Sequence, residues 1–200
     1  GLFGGALKST GAQPATRSLS AMTFSTLAKT DGFPLHRHSV FFSDDYRAEF
    51  EAIFKNGTMP ASPTTYICAQ DRDDINPDPT GRERLFFLIN APANGDTHNY
   101  SPAEIEQCAE TMQTLLARCG LTLSAQSDTQ QVTTPTHFNH LFPATGGALY
   151  GQASHGWGSF FARPGPRTKI PGLYLAGGSV HPGSGIPTAS LSGQTAADCL

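Results

Sequence analysis

Apolar and polar positions switch between two periods along this chain. Val40, Phe41 and Phe42 follow one another and give way to Ser43, Asp44 and Asp45. β-formers followed by turn formers predict a strand over residues 38–43. Tyr46, Phe50, Ile53 and Phe54 then recur at helical spacing. Residues 46–54 therefore read as a helix, capped by Asp44 or Asp45 and ended at Asn56-Gly57. Residues 25–35 read as a strand with a turn at Asp31-Gly32, and residues 64–69 as another strand between prolines. Residues 1–22, rich in Gly, Ala, Ser and Thr, show poor periodicity and read as a loop or connection.

Residues 85–90 (Leu-Phe-Phe-Leu-Ile-Asn) are the most hydrophobic run and predict a central strand covered on both faces. The preceding polar stretch, 71–84, contains Asn76-Pro77-Asp78-Pro79 and Gly81 and predicts a solvated loop. The clearest helix spans 102–119. Ser101 is its N-cap, Pro102 its first helical residue, and Glu104 completes a capping box. Ile105, Cys108, Met112, Leu115, Leu116 and Cys119 form one apolar stripe, and Gly120 stops the helix. A further strand is expected within 121–132. Thr134-Pro135 opens a short helical or loop segment.

Composition narrows the classes. The 200 residues suit one domain or slightly more, loop-rich with 21 Gly and 15 Pro. A net charge of −3 without a basic block gives nucleic acid no electrostatic foothold. Cys68, Cys108, Cys119 and Cys199 lack CxxC spacing, so neither a zinc site nor a disulfide framework is expected. No run of eighteen apolar residues occurs.

The densest chemical signal lies at residues 173–188. Leu173 to Ala176 reads as a strand, 177–185 as a glycine-rich loop, and Pro187 opens a helix. Strand, glycine loop and helix amino end bring bare backbone N–H groups and the helix dipole to an anionic or polar cofactor group.

This stretch resembles the C-terminal flavin-binding segment of the carotenoid desaturases, FAD enzymes of the phytoene desaturase type. The matching run is Leu173-Tyr-Leu-Ala-Gly177 and His181-Pro-Gly-Ser-Gly-Ile-Pro187. Gly177-Gly-Ser-Val-His181 is most like the branch acting on hydroxylated or methoxylated carotenoids, the hydroxyneurosporene and methoxyneurosporene dehydrogenases. Residues 38–50, 68–72 and 141–151 resemble the same branch, so the likeness covers most of residues 36–199. It implies FAD held by Gly177, Gly178, Ser179, His181, Gly185, Ile186, Pro187 and Thr188. It also implies an acyclic carotenoid substrate and hydride transfer that introduces a C=C bond near one chain end. A related isomerase or saturase, or a non-catalytic pigment- or lipid-binding remnant, are the alternative readings. Many relatives place an acidic residue in this loop to hold a ribityl hydroxyl, and here Gly178 and Ser179 stand instead.

No Gly-x-Gly-x-x-Gly follows an opening strand, and Gly1 to Lys8 lacks that spacing. The expectation is therefore an α+β fragment. A mixed-sheet substrate domain would occupy 1–165, and the C-terminal return segment of a Rossmann-like FAD domain 166–200. Such a fragment is expected to hold FAD poorly and to be inactive alone. A membrane-dissolved substrate implies peripheral attachment, on the cytoplasmic side of the inner or photosynthetic membrane.

Other chemistry-bearing residues have plainer readings. His181 either contacts flavin or substrate or fixes the loop backbone. His36 and His38 lack a third ligand at local spacing, so His38 reads as structural or pocket-lining; His137 and His140 have no carboxylate close by. Asp71-Arg72-Asp73-Asp74 reads as a solvated turn, with a substrate headgroup role for Asp71 or Arg72 as the alternative. Tyr150, Trp157, Phe160 and Phe161 suit either core packing or a wall along a polyene. There is no Gly-x-Ser-x-Gly nucleophile elbow.

Overall fold

A computed structural model describes residues 16–73, 75, 81–125, 130–153 and 163–200. Its centre is a six-stranded sheet. Strands β1 (Ser20–Gly32), β2 (His38–Phe41), β3 (Thr65–Ala69), β4 (Glu83–Ala91), β5 (Leu121–Ala125) and β6 (Gln131–Thr133) are joined by α1 (Tyr46–Glu51), α2 (Pro102–Arg118) and α3 (Pro135–Leu141). The order is β2-β3-β4-β1-β5, with β6 also on β1. β5 and β6 lie end to end along the edge of β1 opposite β4, so the single strand expected over 121–132 is two.

Every pairing is antiparallel, which corrects the expectation of a mixed sheet. The connections explain it. Short links reverse the chain between β1 and β2 and between β3 and β4. The 17-residue α2 carries the chain from β4 across β1 to β5. It spans about 25 Å at 1.5 Å per residue.

That crossing places α2 on one face of the sheet. Cys108, Met112, Leu115 and Leu116 meet Met22, Phe24, Ile67, Leu85, Phe87 and Ile89 in the main core. Residues 20–22 are therefore core strand rather than connection. Their small side chains hide a period of two that only the pairing with β4 makes visible. β4 alternates buried with half-buried positions, so one of its faces, not both, is fully covered. Cys119 is exposed and falls outside the stripe expected of it.

Burial pushes the Cys108 thiol up to about 12. A thiol reagent at pH 8 is therefore expected to label exposed Cys119 promptly and Cys108 only on unfolding, as mass spectrometry of the labelled peptides would show.

The ends of α2 follow the sequence closely. Ser101 Oγ accepts from Glu104 N, completing the cap, while Glu104 Oε2 accepts from Ser101 N at 2.8 Å and from Ser101 Oγ at 2.7 Å. These bonds, and the contact with His98, hold the Glu104 carboxyl down to about 2 from its ordinary 4.5. A carboxylate depressed on folding stabilises the fold above its unfolded value and loses that contribution as pH falls towards about 2. Glu104→Gln is expected to flatten the acid limb of stability between pH 4.5 and 2, read by urea midpoints at each pH.

α1 ends differently from a plain helix. Asp45 caps it, accepting from Ala48 N at 2.9 Å, while Asp44 instead pairs with Arg118. Beyond Glu51 the chain widens into a π turn, Ala52–Asn56. Gly32 closes β1 at φ +91°, where a Cβ would overlap the Gly120 carbonyl oxygen. Only glycine fits that crossing of backbones.

Candidate cofactor loop and substrate face

The segment expected to be a strand, 173–176, makes one isolated bridge, Tyr174 with Arg167. Leu175 N also donates to Pro166 O at 2.8 Å. It is a tight hairpin-like contact, not a sheet strand, among the described residues. The loop and helix after it form as the glycines suggest. α4 spans Ile186–Ala197 with Pro187 in its first turn. Gly177, Gly183 and Gly185 have φ of +121°, +137° and +107°. Side chains would strain all three positions.

Each predicted residue has a definite place. Gly177 N donates to the fully buried Ser192 Oγ at 3.1 Å, and Val180 N donates back to Gly177 O. Gly178 O accepts from Arg163 Nη1 at 3.0 Å, and a Cβ on Gly178 would meet Ser184 at van der Waals contact. Ser179 lies against Gly151, where a Cβ would come 2.7 Å from Ser179 Oγ. His181 N donates to Pro164 O at 2.9 Å, so its backbone fixes the loop. Thr188 Oγ1 donates to Ser184 O at 2.6 Å and Gly185 O at 3.0 Å. Ile186 is 85% exposed at the amino end of α4, and no side chain caps that end among the described residues.

Two staples escaped the sequence reading. Arg163 Nη1 reaches both Tyr150 O and Gly178 O at 3.0 Å, tying the loop to the turn after α3. Ser192 secures the loop from the second turn of α4. Neither carries a local signal, because each acts on a backbone group fifteen residues away.

The result is a glycine-lined backbone cradle beside an uncapped helix amino end. It suits a polar, electron-rich ring edge: glycines allow close approach, and the dipole stabilises negative charge. The absence of an acidic residue from the loop leaves backbone groups, the Ser179, Ser184 and Thr188 hydroxyls and the His181 imidazole as the polar groups of the loop and helix start.

The second surface is the sheet face opposite α2. Strand alternation places His38 and Val40 (β2), Tyr66 and Cys68 (β3), Arg84, Phe86, Leu88 and Asn90 (β4), and Leu27 (β1) on it. Val40 and Leu27 are 49% and 38% exposed, and Tyr66, Phe86 and Leu88 half-buried. α1 sits at one end of this face. Its Glu49 is buried and accepts from Asn90 Nδ2 and Thr64 N, each at 2.9 Å, with no cationic partner among the described residues. Phe42, Tyr46, Phe50 and Phe54 then form a row of rings with centroids 5.7, 4.9 and 6.1 Å apart. An apolar floor with an aromatic row at its end suits a long, flat, apolar ligand.

The remaining candidates separate. His38 Nδ1 lies 2.7 Å from Tyr66 OH, and the two rings stack. His137 Nδ1 accepts from Thr134 N and caps its own helix. Asp71 pairs with Arg84, which holds its carboxyl below the usual range. The stretch does turn, with Arg72 N donating to Ala69 O, but Arg72 itself is buried rather than solvated, its guanidinium held by Glu83. Tyr150 is 45% exposed; Trp157, Phe160, Phe161 and Gly1 to Lys8 lie outside the described residues.

Comparison with known proteins agrees with this geometry. Residues 38–200 match the family model described as flavin containing amine oxidoreductase. The chain is 50% identical over 187 residues to a hydroxyneurosporene desaturase of Rubrivivax gelatinosus, covering 94% of this chain and 36% of that protein. It is 42% identical to the hydroxyneurosporene desaturase of Cereibacter sphaeroides (92% and 36%). It is 34% identical to a 1-hydroxycarotenoid 3,4-desaturase of a Flavobacterium species (92% and 38%). The chain thus spans little more than a third of the length of these curated relatives. With the match running from β2 through the glycine loop to the carboxyl end, the chain belongs to the flavin containing amine oxidoreductase family.

Proposed function

We propose that this chain supplies the substrate sheet and the flavin-facing loop of an FAD-dependent carotenoid desaturase. The substrate class is an acyclic carotenoid hydroxylated or methoxylated at one end. The observation that carries the reading is 50% identity, over 94% of the chain, to a protein named for hydroxyneurosporene desaturation. The loop geometry fits the same cofactor. FAD, when bound, accepts a hydride from the substrate, and the second hydrogen leaves as a proton. The chain's own groups do the rest. Gly177, Gly178, Ser179, His181 and Gly185 shape the backbone cradle. Ile186, Pro187 and Thr188 present the α4 amino end, whose dipole favours negative charge on a reduced ring.

In this reading residues 1–165 serve the substrate and 166–200 return to the FAD domain. The open sheet face lies along the polyene. The exposed rings of Phe42, Tyr46 and Phe54 suit peripheral contact with the cytoplasmic side of an inner or photosynthetic membrane, where such substrates dissolve. No described helix is long and apolar enough to cross a membrane.

The test is anaerobic mixing of the full-length, FAD-loaded protein that carries this chain with a 1-hydroxy acyclic carotenoid. The polyene absorption should move to longer wavelength, the product should weigh two hydrogens less, and the flavin should bleach. A spectral change with no loss of mass would favour an isomerase. An unchanged carotenoid beside oxidised flavin would remove the desaturase reading.

A further inference from the structure

Building on the desaturase reading, we propose that the hydrogen-bonded pair His38–Tyr66 receives the oxygen function at the end of the carotenoid and so sets specificity for oxygenated over hydrocarbon substrates. The pair stands at the β2–β3 edge of the open face, beside Val40 and Cys68. From there the floor runs through Phe86 and Leu88 of β4, which are apolar. On β4 the polar groups of this face are already committed, Asn90 to Glu49 and Arg84 to Asp71; Lys29 and Asp31 lie beyond Leu27 on β1, across β4 from the pair.

His38 also lines a cavity of about 990 Å³ together with Phe33, Pro34, His36, Arg37 and Asp73. The floor therefore ends in a roomy recess with both apolar (Phe33, Pro34) and polar (His36, Arg37, Asp73) lining. A hydrocarbon end makes no use of the hydrogen-bonding groups there. A hydroxylated end placed on the apolar floor would lose its water without replacement.

The pair can replace that water in either tautomer. When Tyr66 O–H donates to Nδ1, the Nε2–H is a donor; when Nδ1–H donates to the phenol oxygen, Nε2 is an acceptor. Tyr66 is also hydrogen-bonded to the Cys68 side chain, so among the described residues Nε2 is the position open to a ligand. An alcohol can meet Nε2 in either state; an ether oxygen uses the donor alone. Ring stacking at 6.0 Å and 14° holds the imidazole in place on an exposed edge strand.

The experiment compares a 1-hydroxy acyclic carotenoid with the hydrocarbon of equal polyene length in the FAD-loaded protein. Wild type, Tyr66→Phe and His38→Leu are each assayed for kcat/KM, and for Kd by carotenoid absorption. Wild type should prefer the hydroxylated chain at least tenfold. Both variants should bring that ratio below threefold in both measures. The ratio is taken within one preparation, so a lowered folded fraction cancels. A preference that survives in both variants overturns this assignment alone. A wild type that takes neither carotenoid overturns the desaturase reading as well.

Discussion

Glu83→Ala is expected to destabilise the protein by about 3–5 kcal/mol, because it removes the carboxylate paired with a buried guanidinium. Arg72 and Glu83 side chains are 8% and 2% exposed. Arg72 Nε and Nη2 meet the two Glu83 oxygens at 2.8 and 2.7 Å. Nη1 donates to Leu35 O at 3.0 Å, and Nη2 also reaches Thr30 Oγ1, which donates to Glu83 at 2.7 Å. One ion pair thus ties the end of β1, the β1–β2 connection, the β3–β4 loop and the start of β4. Removing the carboxylate takes away the counter-charge that both Nε and Nη2 meet. Removing both charges is a different matter. Arg72→Met with Glu83→Leu fills the space with apolar atoms and should recover most of the loss, since a buried pair contributes little beyond its own desolvation. Thermal unfolding would show the single variant down by on the order of 10 °C, and the double variant near wild type. Equal losses in both would mean that the packing, not the charge pairing, matters at this site.

That pair also shows where sequence reading stops. Arg72 sits in an Asp-Arg-Asp-Asp run, and every local rule sends such a run to solvent. Its partner is eleven residues away, at the first position of a strand whose hydrophobic run begins two residues later. Only the antiparallel return of β3 and β4 brings them together. α2 was legible for the opposite reason: capping box, proline and apolar stripe all act within four residues of one another. β1 was half legible, because Ser20 and Ala21 carry too little side chain to show a period.

The glycine loop divides the same way. The positive φ at Gly177, Gly183 and Gly185 follows from composition, since few other residues adopt it. The groups that hold the loop, Arg163 and Ser192, act at a distance and look ordinary in the chain. The four apolar residues before the loop suggested a strand; without a sheet neighbour among the described residues they make one bridge. Apolar composition predicts extended backbone, but pairing requires a partner that composition does not name.

The cofactor reading makes an equally specific demand on the amino end of α4. Ile186→Asp should keep or slightly raise the melting temperature, while slowing flavin reduction by the carotenoid at least tenfold. Ile186 is 85% exposed, so replacing it removes little packing. A carboxylate in the first turn of a helix is favourable by about 0.3–1 kcal/mol, because it meets the positive end of the dipole. Gly185 gives that end no side-chain cap, so the new carboxylate has unpaired N–H groups to accept from. The same negative charge opposes the charge that builds on a ring placed at this terminus during reduction. Tenfold in rate is about 1.4 kcal/mol, which for a two-electron couple is about 30 mV. The flavin midpoint potential of the loaded protein should therefore fall by at least that amount, a readout independent of turnover. Gln194→Glu adds the same charge on the exposed third turn of α4, beyond the reach of the dipole's end, and serves as the control. If Ile186→Asp and Gln194→Glu leave the potential equally unmoved, the amino end of α4 does not face the flavin.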